Sequence, residues 1–280
     1  MSSPAKRPAW LTVRAPSGER VETVAGALAR RGLRTVCREA RCPNVGECWG
    51  NGTATVILLG GMCTRGCAFC GVAAGTPAPP DPGEPDRVAQ AAVELSWRHV
   101  VVTSVTRDDL PDGGAGHFAR TVAALREEAP GATVELLVPD FGGSAEALRT
   151  VVESAPDVLA HNVETVPRLY PKVRRGAEYG RSLALIRNAA ALAPSLPLKS
   201  GILAGFGERE EELLAVFRDL FDAGCRHLTI GQYLPPTRAH LPAAEYVPPD
   251  RFAALGSAAR AIGYARVLSG PLVRSSYRAG

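Results

Sequence analysis

The stretch Ala54-Thr-Val-Ile-Leu-Leu-Gly-Gly-Met-Cys-Thr-Arg-Gly-Cys-Ala-Phe-Cys70 decides the fold. An unbroken apolar run, ATVILL, ends in two glycines and passes straight into three cysteines. A run without polar alternation reads as a strand covered on both faces, as in a parallel sheet. Runs of the same kind recur at 99–105 (HVVVTSV), 132–139 (ATVELLVP), 157–164 (DVLAHNVE), 197–206 (PLKSGILAGF) and 227–235 (HLTIGQYLP). Between them, at about 86–97, 115–128, 144–154, 181–193, 208–223 and 249–262, apolar residues return with helical spacing. Strand–helix alternation predicts βαβ units around a parallel sheet. Six units are two short of the closed eightfold barrel. The expected fold is α/β: a partial (β/α)6 TIM-like barrel with an N-terminal extension and a short C-terminal tail. A doubly wound sheet is the alternative.

Cys63, Cys67 and Cys70 are spaced C-x3-C-x2-C directly after the first strand. Barrel enzymes carry reactive groups on loops at the C-terminal ends of strands. Three thiolates within eight residues can wrap one small iron–sulfur cluster, whereas a tetrahedral zinc needs a fourth ligand. A [4Fe–4S] cluster held by three thiolates keeps one iron free to chelate a substrate or cofactor. Gly66 lets the loop turn tightly, and Phe69 can shield a cluster from water. Zinc with a distant fourth ligand, or three free thiols, are the alternatives.

A second triad, Cys37, Cys42 and Cys48, is spaced C-x4-C-x5-C in the polar leader. It again leaves one corner of a cluster to fill. The remaining cysteine, Cys225, starts the sixth strand and reads as a small core residue. The expected division is a leader (1–53) carrying this triad, a barrel (54–264) and a short C-terminal tail (265–280). Segments 75–86 and 234–249 are Pro-rich and are expected as loops.

Composition excludes several classes. With 280 residues, 46% hydrophobic and 21% charged, the chain has ordinary globular usage and enough length for a core. No run of 18 apolar residues predicts a membrane span. MSSPAKRPAWLTV lacks the apolar stretch of a signal peptide, so a cytoplasmic protein without a membrane partner is expected. Seven cysteines, six of them between positions 37 and 70, argue for ligands rather than a disulfide framework. Net charge is +4, but the ends are more basic: residues 1–41 carry nine Lys/Arg against three acids. That excess fits either an acidic partner or solvated charge. Aromatics are 6% and none interleaves the basic runs, which speaks against a nucleic-acid partner.

Together CREARCPNVGECW (37–49), GGMCTRGCAFCGV (60–72) and GPLVRSSY (270–277) resemble the lipoyl synthase family of the radical S-adenosylmethionine (SAM) superfamily. HNVETVPRLYPKVRRGAEY (161–179), KSGILAGFGE (199–208) and LTIGQYLPPTRAHLP (228–242) fit the same family. The first triad alone would indicate only the superfamily. The leader triad and terminal RSSY argue against other members with an auxiliary cluster. The resemblance implies a sulfurtransferase that inserts sulfur at C6 and C8 of a protein-bound octanoyl-lysine. It implies two [4Fe–4S] clusters and SAM as cofactors. Cys63, Cys67 and Cys70 would hold the SAM-binding cluster, which cleaves SAM to a 5′-deoxyadenosyl radical. Cys37, Cys42 and Cys48 would hold the auxiliary cluster that donates sulfur. A serine of RSSY would be its fourth ligand: Ser276 by the match, with Ser275 the weaker candidate. Implied partners are octanoylated lipoyl carrier domains (2-oxoacid dehydrogenase acyltransferase subunits, the glycine cleavage H protein) and a low-potential electron donor. The residues agree with radical chemistry. An alkyl C–H bond has no acidic proton, and no nucleophile–base pair stands out.

Thr103 and Ser104 end the second strand, and Asn162 and Glu164 the fourth, where barrel enzymes place ligand groups. Asn and Glu can meet a ribose diol, so these residues are candidate SAM contacts. Gly205, Gly207 and Glu208 form either an ordinary strand–helix turn or, by the resemblance, a cofactor contact. Arg107-Asp108-Asp109 reads as an ion-paired loop or a cap. Lys172, Arg174 and Arg175 form a basic run that reads either as a surface meeting an acidic carrier or as a solvated face. Of the five histidines, His161 beside Asn162 is the one placed to matter.

Overall fold

The apolar runs form strands and the periodic stretches form helices in the computed structural model, which describes residues 7–278. Residues 1–6 of the expected leader and 279–280 of the expected tail lie outside the described residues. The leader holds α1 (Glu19–Arg30), β1 (Arg34–Thr35), α2 (Val36–Glu39) and α3 (Val45–Gly50). Then come β2 (Thr55–Leu58), β3 (Met62–Cys63), β4 (Ala73–Ala74), α4 (Glu84–Glu94), β5 (His99–Ser104) and α5 (Ala115–Glu128). β6 (Thr133–Leu137), α6 (Ala145–Glu153), β7 (Val158–Ala160), α7 (Tyr170–Val173) and α8 (Tyr179–Leu192) follow. The chain continues with β8 (Leu198–Ala204), α9 (Glu210–Asp222), β9 (His227–Gln232), α10 (Pro249–Ile262) and β10 (Arg266–Gly270).

The six expected strands pair in the order β2-β5-β6-β7-β8-β9, all parallel. Val56, Val100, Val101, Val102, Val134, Leu136 and Ile230 are fully buried, which is why their runs show no polar alternation. Local signals bound the helices. Ser144 Oγ accepts the Ala147 N–H at 3.2 Å and caps α6. Glu210, Glu211 and Glu212 crowd the first turn of α9, where the helix dipole favours acids. Pro249 opens α10, and Gly263 (φ 120°) ends it. Cys225 is fully buried, its thiol donating to His227 O at 3.2 Å, as a core residue should.

The two edges depart from expectation. β10 adds a seventh parallel strand beside β9, with Arg266 opposite His227 and Gly270 opposite Gly231. Residues 265–280 are therefore not simply a tail; their first part belongs to the sheet. β10 is only half-buried, so its apolar signal shrinks to Val267 and Leu268. At the other edge, β1 pairs antiparallel with β2 and stitches the leader to the barrel. The sheet runs from β1 to β10 as an open, partial barrel. Residues 271–278 cross the opening. Val273 packs on Gly231 so closely that a Cβ there would collide with its carbonyl. Asn44 Nδ2 donates to Leu272 O at 2.7 Å.

A polar layer closes the N-terminal end of the strands. Lys199 Nζ donates to Glu135 Oε1 at 2.7 Å, and His99 Nε2 lies 3.4 Å from Glu135 Oε2. Burial pushes the Glu135 carboxyl up, but His99 and Lys199 outweigh it and hold it below its usual range. Among the described residues no helix is long and apolar enough to cross a membrane.

Candidate active site

Strand β2 delivers the first cysteine triad. Leu59 (φ 65°) and Gly60 (φ 90°) turn the chain out of the strand. β3 and β4 then zip the base of the loop, Met62 against Ala73 and Cys63 against Ala74. Neighbouring loops hold it in place. Thr64 N–H donates to Thr106 O at 3.1 Å, and Ala68 N–H to Val173 O at 2.9 Å. The Pro-rich loop after β9 folds over it: Leu241 N–H donates to Ala68 O at 3.3 Å, and His240 Nε2 lies 3.0 Å from Cys70 O. No local pattern around His240 marks it for this role.

Arg65, between Cys63 and Cys67, is the strongest tie. It donates to both oxygens of Asp108 at 2.8 and 2.7 Å and to both oxygens of Asp140 at 2.9 and 2.8 Å. Arg181 also reaches Asp140, at 3.3 Å. Arg107-Asp108-Asp109 is thus an ion-paired loop: Asp108 takes Arg65, and Arg107 pairs with Asp109 at 2.8 Å.

The leader brings the second triad to the same end. Thr35 Oγ1 accepts the Arg38 N–H at 3.4 Å and starts α2, which carries Cys37. Cys42 N–H donates to Cys37 O at 3.0 Å, and α3 carries Cys48. The two loops meet backbone to backbone. A Cβ on Gly71, beside Cys70, would collide with Glu39 O, so only glycine fits. Residues 272–277 of the tail meet the leader and β2 beside this triad. Ser276 Oγ and Thr55 Oγ1 lie 2.6 Å apart, and the Thr55 backbone hydrogen-bonds Cys37. Tyr277 Oη donates to Glu47, on α3, at 3.0 Å.

Between the triads lies a cavity of about 740 Å³, lined by Cys42 from one and Cys63, Cys67 and Cys70 from the other. Burial, and after it the thiols of the same triad, push the Cys37, Cys48, Cys67 and Cys70 thiols up, Cys48 and Cys70 to about 12. Thiols in this state need a cation to become thiolates, and binding one releases protons. The donors are soft sulfur, which suits an iron–sulfur cluster. Among the described residues no three His, Cys, Asp or Glu side chains converge closely enough to hold one bare ion. The fit to clusters rests instead on the paired triads and on the polar atoms around the cavity. Ser104 Oγ, Asn162 Oδ1 and Arg174 Nε line it, buried and without a protein partner. Orphaned groups of this kind call for a polar ligand. One bearing amino, carboxylate and hydroxyl groups would satisfy all three.

Asn162 Nδ2 donates to Glu164 Oε1 at 3.0 Å. Glu164 sits at φ 64°, a conformation that costs a non-glycine residue. It is held there by its N–H to Gly201 O at 3.0 Å and its carbonyl to Leu203 N at 2.8 Å. Burial pushes its carboxyl up, while Arg174, Asn162 and Arg274 pull it down. Thr103 also lines the cavity, but its hydroxyl is spent on Leu137 O at 2.7 Å. Phe69 and Tyr233 line another wall. Phe206 backs it, its ring 6.3 Å from Phe69 and stacked on Tyr233 at 4.2 Å.

Other expected contacts lie elsewhere. Gly205, Gly207 and Glu208 do not line the cavity. The Glu208 carboxylate is taken up by its own turn, accepting from Gly205 N at 3.0 Å, Phe206 N at 2.9 Å and Thr165 Oγ1 at 3.0 Å. Gly205 (φ 111°) has no room for a side chain beside Gln232. The basic run splits. Arg174 turns inward, donating to Asn162 O at 2.8 Å and Tyr170 Oη at 3.1 Å, so it cannot meet a carrier. His161 is buried, Nδ1 on Val138 O at 2.8 Å and Nε2 on Ser182 Oγ at 2.9 Å. With both nitrogens engaged, it anchors the fold.

A family model described as the radical SAM superfamily matches residues 57–220. The lipoyl synthase of Geobacter metallireducens is 58% identical over 254 residues, covering 91% of this chain and 89% of that one. The lipoyl synthase of Trichlorobacter lovleyi is 53% identical over 275 residues, covering 98% and 97%. Among solved structures, HydG, a maturase of the [FeFe]-hydrogenase, matches with a TM-score of 0.61 at 13% identity, covering 89% of this chain and 62% of that chain. That likeness is one of fold alone.

Proposed function

The chain belongs to the lipoyl synthase family of the radical SAM superfamily, and from that premise we propose how its own residues divide the work. The activity is that of a sulfurtransferase building the lipoyl group on a lipoyl carrier protein, with two [4Fe–4S] clusters and SAM as cofactors. When bound, the SAM-binding cluster supplies the electron that cleaves SAM to a 5′-deoxyadenosyl radical, and the auxiliary cluster supplies sulfur for C6 and C8 of the octanoyl chain.

In our reading Cys63, Cys67 and Cys70 hold the first cluster with one iron open. Ser104, Asn162 and Glu164 orient SAM, and Arg174 braces Asn162 from behind. Cys37, Cys42 and Cys48 hold the auxiliary cluster, with Ser276 completing it from the tail. Phe69 and Tyr233, backed by Phe206, keep water from the reacting chain. The division of labour follows the chain: leader (1–53), barrel (54–264) and closing segment (265–280). The proposed carriers are acyltransferase subunits of 2-oxoacid dehydrogenases and the glycine cleavage H protein, served by a low-potential electron donor in the cytoplasm. The observation supporting this arrangement is that cysteines of both triads line one cavity, with Gly71 pressed against Glu39 between them. Replacing Cys37, Cys42 and Cys48 by Ala should leave 5′-deoxyadenosine formation but abolish sulfur insertion. Replacing Cys63, Cys67 and Cys70 should abolish both. The same phenotype from the two triple variants would refute the division.

A further inference from the structure

The leader ahead of α1 has a feature that cluster binding does not require. Leu11 is 1% exposed and anchors this stretch in the core. Beside it Trp10 (43% exposed) and Val13 (41%) face solvent. Val13, Arg7, Arg14 and Arg41 are exposed yet line the cavity, so they form its rim. Among the described residues the guanidinium groups of Arg7, Arg14 and Arg41 have no hydrogen-bond or ion-pair partner. A stretch pinned by a buried Leu11 that exposes Trp10, Val13 and unpaired cations has the make-up of a protein-binding surface, where Trp and Arg carry most of the energy.

We propose that this rim is the landing surface for an acidic face of the carrier domain. The inference rests on the carrier-bound substrate assigned above. A lysine-borne acyl arm that reaches the cavity brings the carrier's own surface against the rim. The charge there selects an acidic partner: Arg7, Arg14 and Arg41 line the rim, and the one leader acid beside them, Glu39, is already paired with Arg34. The rim takes over the role expected of the 172–175 run, whose central Arg174 is committed inside the barrel.

The test uses full-length holoenzyme in two variants, Arg7→Glu/Arg14→Glu and Trp10→Ser, with iron content matched to wild type. Calorimetric binding of an octanoylated carrier domain should weaken about tenfold in each, and added salt should weaken wild-type binding far more than that of the charge variant. Turnover of a short octanoyl-lysine peptide should be unchanged. Unaltered carrier binding would overturn the proposal, as would an equal loss of peptide turnover. A wild-type dimer that the variants dissolve, with carrier binding intact, would give the patch to a second copy and also overturn it. Failure of wild-type enzyme to modify the peptide would instead refute the assigned activity, leaving the binding result to judge the surface.

Discussion

Removing Arg65 should loosen the first cysteine loop by an amount that the geometry sets. Its four charge-assisted hydrogen bonds divide between two acids. Asp108 is 41% exposed, so that pair is worth about 0.5–1 kcal/mol. The Asp140 side chain is fully buried, and breaking such a pair costs roughly 3–5 kcal/mol. Arg181 and the Gly142 N–H stay on Asp140 and offset part of this, which brings the cost to about 2–3 kcal/mol. The total, about 3 kcal/mol, corresponds to roughly a hundredfold in the opening equilibrium of the loop. Anaerobic holoenzyme challenged with an iron chelator should reveal it as a colour-loss phase about a hundredfold faster in Arg65→Met, confined to one cluster. Asp140→Asn leaves no uncompensated charge, so Arg65→Met/Asp140→Asn should lose its cluster more slowly than the sum of the single variants requires. Wild-type chelation kinetics in Arg65→Met, or additive effects in the double variant, would refute the clamp.

Other outcomes follow from the same geometry. Burial lowers the His161 pKa to about 4 from an unfolded value near 6.5. The unfolded chain therefore binds the extra proton first. Stability present above pH ~6.5 should fall by up to about 3 kcal/mol as pH drops to ~4. His161→Gln should show a flatter urea midpoint across that window, and an unchanged pH profile would count against the assignment. Ser276→Cys should assemble a full auxiliary cluster yet lose sulfur insertion, because an oxygen ligand makes that corner labile and a fourth thiolate does not. Undiminished product from this variant would contradict that role.

The parts of the fold written locally were legible. Buried parallel strands are continuous apolar runs, and the spacing within each cysteine triad lies within a dozen residues. Long-range placement was not. Nothing in the basic run told Arg174, which turns onto Asn162 and Tyr170, from its neighbours Lys172 and Arg175. The Gly205–Glu208 turn showed glycines and an acid, as a ligand loop would, but its own N–H groups and Thr165 take up the carboxylate. β10 hid because an edge strand buried on one side needs few apolar residues. The meeting of the two triads depends on Gly71 fitting against Glu39, a contact that no periodicity encodes.

The central claim is that two clusters held across one cavity turn an octanoyl-lysine into a lipoyl-lysine. Its most direct test is the mass of an octanoyl-lysine carrier peptide after incubation with SAM and the reduced, fully loaded enzyme. The account predicts a peptide carrying two added sulfur atoms, together with 5′-deoxyadenosine. 5′-Deoxyadenosine formed while the peptide gains no sulfur would contradict it.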